Sequence, residues 1–178
     1  MTSEALAVAE ADLHFVRALQ IHENNLVPHT RDLEELKQLH RHLFQDLFAW
    51  AGEIRTIDMK RGEGKFFAPC AWIELNAQHA FAALREENYL RNLSRSDFIV
   101  RLAFHYDAVN FIHPFREGNG RTQRFFWSRV ALEAGWVLDW RPIHGEELNE
   151  ASRVAREDGD MGLLLQALEK CVSPVWNS

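Results

Sequence analysis

Leu33, Leu36, Leu39, Leu43 and Leu47 recur at steps of three and four, which is the period of one apolar helix face. Thr30 stands where an N-cap belongs, and Gly52, after Trp50-Ala51, suits a left-handed C-terminal cap. A weakly patterned helix is expected ahead of this one, over about 4–20, with Pro28 closing the loop between them. The period then shortens. Arg55-Thr56-Ile57-Asp58-Met59 alternates polar and apolar residues, Gly62-Glu63-Gly64 supplies a turn, and Lys65-Phe66-Phe67-Ala68 returns before Pro69. A single hairpin is marginal in water, so it must lie on the helices or serve a partner.

Helical periodicity resumes over about 71–87 and again over about 95–110. In the second run Ser94 to Asp97 reads as a capping box, and Phe98, Ile99, Leu102, Tyr106 and Val109 form the buried face. A loop from His113 to Asn119 precedes helices over about 121–134, 146–156 and 161–172, the last capped by Asp160. The predicted fold class is mainly α: a helical bundle with one β-hairpin flap, in a single domain spanning 1–178.

Composition narrows the function classes. With 47% hydrophobic and 26% charged residues, the chain can bury a core and is not a disordered type. A net charge of −6 without any basic block argues against direct nucleic-acid binding. Cys70 and Cys171 are far apart and lack metal-type spacing, so two reduced, partly buried thiols are expected. No leader-like segment or spanning apolar run occurs, which predicts a cytoplasmic protein without a membrane partner.

The informative segment is His113-Pro114-Phe115-Arg116-Glu117-Gly118-Asn119-Gly120-Arg121-Thr122-Gln123-Arg124. A Gly-Asn-Gly turn lets backbone N–H groups converge, and the following helix aims its positive end at the same point, as a phosphate site requires. Arg121 and Arg124 lie on one face of that first turn, where they oppose the helix dipole unless an anion sits between them. Glu117 can hold a hard cation such as Mg²⁺ beside phosphates, and His113 can accept a proton near neutral pH.

This stretch matches the signature of the Fic family, H-P-F-x-[D/E]-G-N-G-R-x-x-R, at every specified position. Leu39-His40-Arg41-His42-Leu43-Phe44 and Trp50-Ala51-Gly52-Glu53-Ile54-Arg55 resemble an early part of Fic domains, and the Arg55 to Ala68 hairpin resembles their flap. The resemblance covers roughly Thr30 to Val172. It implies a protein adenylyltransferase that uses ATP and Mg²⁺. His113 would deprotonate a Ser, Thr or Tyr hydroxyl of a target protein, and Glu117 would bind Mg²⁺. Gly118, Asn119 and Gly120 would hold phosphates, largely through backbone N–H groups, and Arg121 and Arg124 would neutralise the β- and γ-phosphates. Phe115 would be a core anchor. The flap residues Lys65, Phe66, Phe67 and Ala68 would pair with an extended segment of the target.

Many Fic proteins carry an inhibitory helix, [S/T]-x-x-x-E-[G/N], whose glutamate pairs with the second motif arginine, here Arg124. Only Thr30 has a glutamate four residues on, Glu34, and Glu35 follows instead of Gly or Asn. That pair reads as a helix start. The resemblance then implies inhibition in trans by a small antitoxin that supplies the glutamate, in a class whose targets include DNA gyrase and topoisomerase IV. Two alternatives stand beside this one: a Doc-like kinase, which typically has lysine in place of Gly120, and a silent Fic binding module.

Other signals read as structural. Gly62-Glu63-Gly64-Lys65 lacks the first glycine and the Ser/Thr of a phosphate-binding loop. His40 and His42 point to different sides of a helix, and His105 packs beside Tyr106. Trp136 or Trp140 is a candidate border for the adenine.

Overall fold

The computed structural model describes residues 13, 15–21, 23 and 25–175. Residues 15–21 are helical, and the earlier part of the expected first helix lies outside the described residues. Arg17 ties this segment to the body through Asp46 with two bonds of 2.6 and 2.7 Å.

Helix α1 (Leu33–Phe44) buries Leu36, Leu39, His40, Leu43 and Phe44. Its N-cap is Asp32, which accepts from Glu35 N–H at 3.1 Å, rather than Thr30. The Thr30 hydroxyl donates to that same Asp32 carboxylate at 2.5 Å and so supports the cap. The helix stops before Leu47, because Leu47 and Phe48 both turn their N–H groups onto the Phe44 carbonyl at 2.9 Å. A spacing of four residues keeps Leu47 on the core face through this turn as well, so periodicity alone does not separate the two. Gly52 is left-handed at φ 85° but caps no helix; its N–H reaches back to His40 Nδ1 at 2.8 Å.

The flap has no regular strands. One antiparallel bridge joins Lys60 to Phe66, and Phe67 N–H donates to Met59 C=O at 2.9 Å. The physical reason is burial of both Phe67 and Ala68, at 6% and 0% exposure. Two successive inward residues break the alternation that a half-buried strand needs.

A single turn at Cys70–Trp72 leads into helix α2 (Ile73–Glu86). Helix α3 (Arg95–Ile112) starts at Ser94, whose hydroxyl accepts from Asp97 N–H at 3.2 Å and donates to Asp97 Oδ2 at 2.7 Å. It is the central helix and touches α2, α4 (Asn119–Glu133), α5 (Gly145–Asp158) and α6 (Gly162–Cys171). Asp160 serves α6 by accepting from Gly162 N–H at 2.8 Å. A short antiparallel ladder, not expected from the sequence, pairs β1 (Trp136–Leu138) with β2 (Val172–Pro174) and closes the bundle behind α4. The core between these elements holds Trp127, Phe44, Phe98, Phe115 and Phe126, all fully buried. Cys70 is half-buried and Cys171 buried, and both are free thiols. Among the described residues no helix is long and apolar enough to cross a membrane.

Candidate active site

The loop between α3 and α4 places the motif, and two buried polar side chains from elsewhere hold the loop. His113 ends α3 in the left-handed region, φ 45° and ψ 62°, with its N–H on Val109 C=O at 3.2 Å. A residue with a side chain is held there at a cost of order 1–3 kcal/mol, so the surroundings must over-determine it. Arg55 does this. Its side chain is buried, with Nε donating to His113 C=O at 2.8 Å and Nη1 to Ile57 C=O at 2.6 Å. Nη2 donates to Ala68 C=O at 2.5 Å, and the Arg55 N–H donates to Pro114 C=O at 2.8 Å. One guanidinium therefore joins the histidine backbone to both arms of the flap.

His40 holds the other end of the loop. Its Nδ1 accepts from Gly52 N–H, so the proton sits on Nε2, which donates to Glu117 C=O at 2.9 Å. The ring is fully buried and stacks on Phe115 at 3.9 Å. Burial lowers its pKa to about 4, with the Glu117 carbonyl pulling the other way. Sequence reading set His40 aside as a metal candidate and missed this role. The available signal was its position four residues after Leu36 and four before Phe44, a polar residue on a core face. Arg55 carried the same signal, two residues before Ile57 on the apolar side of its alternation.

The motif residues then fall into four kinds. Phe115 anchors the loop in the core, as expected. The Asn119 side chain clamps the loop: Oδ1 accepts from Phe115 N–H at 2.9 Å and Nδ2 donates to Phe115 C=O at 2.7 Å. Gly118 is left-handed, φ 79°, and a Cβ there would lie 2.6 Å from Phe44 Cε2, so only glycine fits. A cleft of about 520 Å³ is lined by His113, Glu117, Gly120, Arg121, Arg124 and Arg61 of the flap, among others. A Cβ on Gly120 would meet open space. Arg121 lies 3.7 Å from Glu117 Oε1 and over the Phe44 ring, while no ion pair among the described residues engages Arg124.

The His113 ring lies 3.6 Å from the Phe67 ring at 11°, and its Nδ1 is buried. Burial is the main cause that lowers its pKa to about 3; Arg55 adds to the effect, the Asn110 carbonyl opposes it, and Arg156 and Arg61 add further. At neutral pH the imidazole is uncharged. The same site is ringed by cations, so an anion in the cleft would raise its basicity.

A hollow of about 360 Å³ continues from the cleft toward α5, past Asn149, Ser152 and Arg153. Neither tryptophan borders the cleft: Trp136 stacks on Phe98 at 5.6 Å, and Trp140 Nε1 donates to Ser128 at 2.9 Å. His105 is buried 3.2 Å from Glu87 rather than engaged in the site. Glu34 is tied to Lys37 at 2.9 Å along α1, which agrees with a helix-start role. A groove as large as the cleft, lined by Arg31, Lys37, Glu74 and Arg85, runs between α1 and α2 and contains no motif residue.

Of the four flap residues expected to receive a target strand, three use their N–H groups within the chain. Lys65 donates to Glu157 Oε1 at 3.0 Å, Phe67 to Met59 C=O at 2.9 Å and Ala68 to Phe111 C=O at 2.9 Å. Phe66 projects, with 60% exposure. Both arms reach the cleft, Met59 to Gly62 from the outgoing one and Phe67 from the returning one.

The cleft gathers a helix N-terminus, a buried imidazole and two arginines, and relatives 36–39% identical to the chain are named protein adenylyltransferases, which are nucleotidyltransferases. The chain belongs to the Fic/DOC family, whose profile matches residues 30–131. It is 37% identical over 175 residues to the probable protein adenylyltransferase Fic of Escherichia coli K12, covering 98% of this chain and 85% of that protein. Among solved structures, the N-terminal Fic domain of a VirB-translocated Bep effector from Bartonella quintana, with ADP bound, superposes with a TM-score of 0.89 at 26% identity, covering 97% of this chain and 87% of that one. The BepC protein of Bartonella tribocorum, with AMPPNP bound, shares the fold at a TM-score of 0.91 and 23% identity, covering 98% and 90%.

Proposed function

We propose that this single-domain protein transfers AMP from ATP to a Ser, Thr or Tyr hydroxyl of a target protein and releases pyrophosphate. The observation that carries this reading is the convergence on one cleft of an uncharged buried imidazole, the open N-terminus of α4 and two arginines. His113 takes the hydroxyl proton as the target oxygen bonds to the α-phosphorus. The bond from that phosphorus to the oxygen bridging to the β-phosphorus breaks, and pyrophosphate leaves with the electron pair. The N–H groups at Gly118 to Gly120 bind phosphate oxygens, and Arg121 and Arg124 neutralise the charge that builds on the leaving group. The similar Bartonella domains were solved with ADP and AMPPNP, which supports ATP as the donor.

Glu117 fits Mg²⁺. Its side chain is 65% exposed at the cleft, and no cluster of three metal-type side chains occurs among the described residues. One carboxylate plus phosphates and water is the usual Mg²⁺ arrangement, and the ion would supply charge neutralisation.

A target segment would enter extended along Met59 to Gly62, since no backbone hydrogen bond among the described residues uses Lys60. That Arg124 is in no ion pair among the described residues supports inhibition in trans by a small antitoxin glutamate. This reading makes the protein a cytoplasmic toxin whose candidate targets are DNA gyrase and topoisomerase IV. Growth arrest on expression, relieved by a co-expressed neighbouring gene, is its expected mark.

The test incubates purified protein, Mg²⁺ and ATP with bacterial lysate and reads modified peptides by mass spectrometry. AMP on a hydroxyl side chain that disappears with His113→Ala, while calorimetry still shows ATP binding, is expected. An added phosphate would instead establish the kinase alternative, against which the space above Gly120 argues. Bound Mg-ATP with no modification would refute transfer.

A further inference from the structure

The C-terminal end of α5 grips the flap through groups that the reaction itself does not use. Glu157, whose side chain is 9% exposed, accepts the Lys65 N–H on Oε1, and its own carbonyl accepts from Lys65 Nζ. The same Oε1 meets Arg156 Nη2 at 2.5 Å, and Oε2 lies 3.4 Å from Arg153 Nη1. The chain passes so close that a Cβ on Gly64 would sit 2.4 Å from Glu157 Oε1. Arg156, 7% exposed, places its guanidinium carbon 4.2 Å from the centre of the Phe67 ring. Phe67 is the ring that stacks on His113.

We propose that Arg156 and Glu157 are positioning residues that hold the flap, and through Phe67 the His113 ring, in the orientation needed for proton transfer. This rests on His113 being the base. The flap has two attachments of different kinds. At its root the Arg55 guanidinium binds main-chain carbonyls, and only a rearrangement of the core would release them. At its tip the clasp is two bonds to one residue of a helix end, the Lys65 N–H on the Glu157 carboxylate and the Lys65 ammonium on the Glu157 carbonyl. Between them Phe67 contributes no hydrogen-bonding side chain, so its ring plane is set by what lies against it. A cation near an aromatic ring in a partly desolvated setting is attracted to its face. The attraction is available to fix that plane, and with it the ring of His113 that stacks on it. The charged groups that bear on the imidazole are Arg55 from the flap root, Arg61 from the flap and Arg156 from α5. Only Arg156 also touches Phe67.

The experiment compares the wild type with Arg156→Met, which keeps an apolar stem, and Arg156→Lys, which keeps the charge. Two readouts are taken on each folded protein. The first is the His113 imidazole resonances of the nucleotide-free protein, which feel the ring current of Phe67. The second is the initial rate of label transfer from α-labelled ATP into the lysate protein that the wild type modifies, with the apparent KM for ATP. In Arg156→Met the imidazole resonances are expected to move and broaden, and the rate at saturating ATP to fall about tenfold. The KM for ATP should stay within about twofold, because Arg156 acts on the base rather than on the phosphates. Arg156→Lys should recover most of the rate. Unchanged resonances in Arg156→Met, or an Arg156→Lys no better than Arg156→Met, would overturn the proposal. A wild type that transfers no AMP would sink the reading of the reaction but leave the resonance comparison intact.

Discussion

Replacing His40 with alanine tests whether a residue that never touches substrate sets the active-site loop. The imidazole joins Gly52 N–H to Glu117 C=O and stacks on Phe115 at 3.9 Å. Removing it unpairs two part-buried backbone groups, at up to about 1–3 kcal/mol each, and empties the volume of an aromatic ring. Partial collapse and entry of water offset part of this, so a net loss of about 3–5 kcal/mol is expected, or about 6–20 °C in Tm for a chain of this size. The same side chain predicts how that loss depends on pH. An unfolded imidazole takes a proton below its ordinary pKa of 6.5, while folded His40 stays neutral down to about 4. Acid therefore favours the unfolded chain throughout that window, and the His40 contribution is complete above pH 6.5 and falls as pH drops towards 4. Each pH unit is worth about 1.4 kcal/mol, so between pH 6.5 and 5 the wild type should lose about 2 kcal/mol more stability than His40→Ala. The lowered pKa of His113 is common to both proteins and cancels in the comparison. Urea unfolding at pH 7.5, 6.5 and 5 measures this directly. An equal difference between the two proteins at all three values would refute the buried, neutral His40 described above.

Arg124→Ala should weaken ATP binding about 10- to 100-fold by calorimetry, and unchanged affinity would remove its phosphate role. Gly118→Ala forces a side chain to φ 79° and to within 2.6 Å of Phe44, so it should lower Tm and nucleotide affinity together. Gly120→Ala, whose Cβ meets open space, should keep Tm within about 1 °C while still weakening nucleotide binding. Arg55→Met removes a buried hub bonded to main-chain carbonyls and should cost about 3–5 kcal/mol. It should also release the flap, read as faster proteolysis at Lys60 and Arg61.

The sequence by itself determined the helical class, the buried faces of α1 and α3 and the segment whose side chains line the cleft. Those features are local: a period of 3.6, a capping serine and a contiguous motif need only neighbouring residues to be read. His113, Glu117, Gly120, Arg121 and Arg124 do meet at one cleft. The tertiary structure decided what holds them there. His40 lies 77 residues from the Glu117 carbonyl it binds, and Arg55 lies 58 from that of His113. The β1–β2 ladder joins segments of three residues each, too short to show a period. The flap reads as two strands because Lys65 to Ala68 favour extended chain. Burial of Phe67 and Ala68 together, and the Glu157 grip on Lys65, make it an anchored loop instead. Asn119 belongs to a phosphate motif, yet its side chain is occupied with Phe115. Pairings across long loops follow from packing and the satisfaction of buried polar groups, which only the folded chain defines.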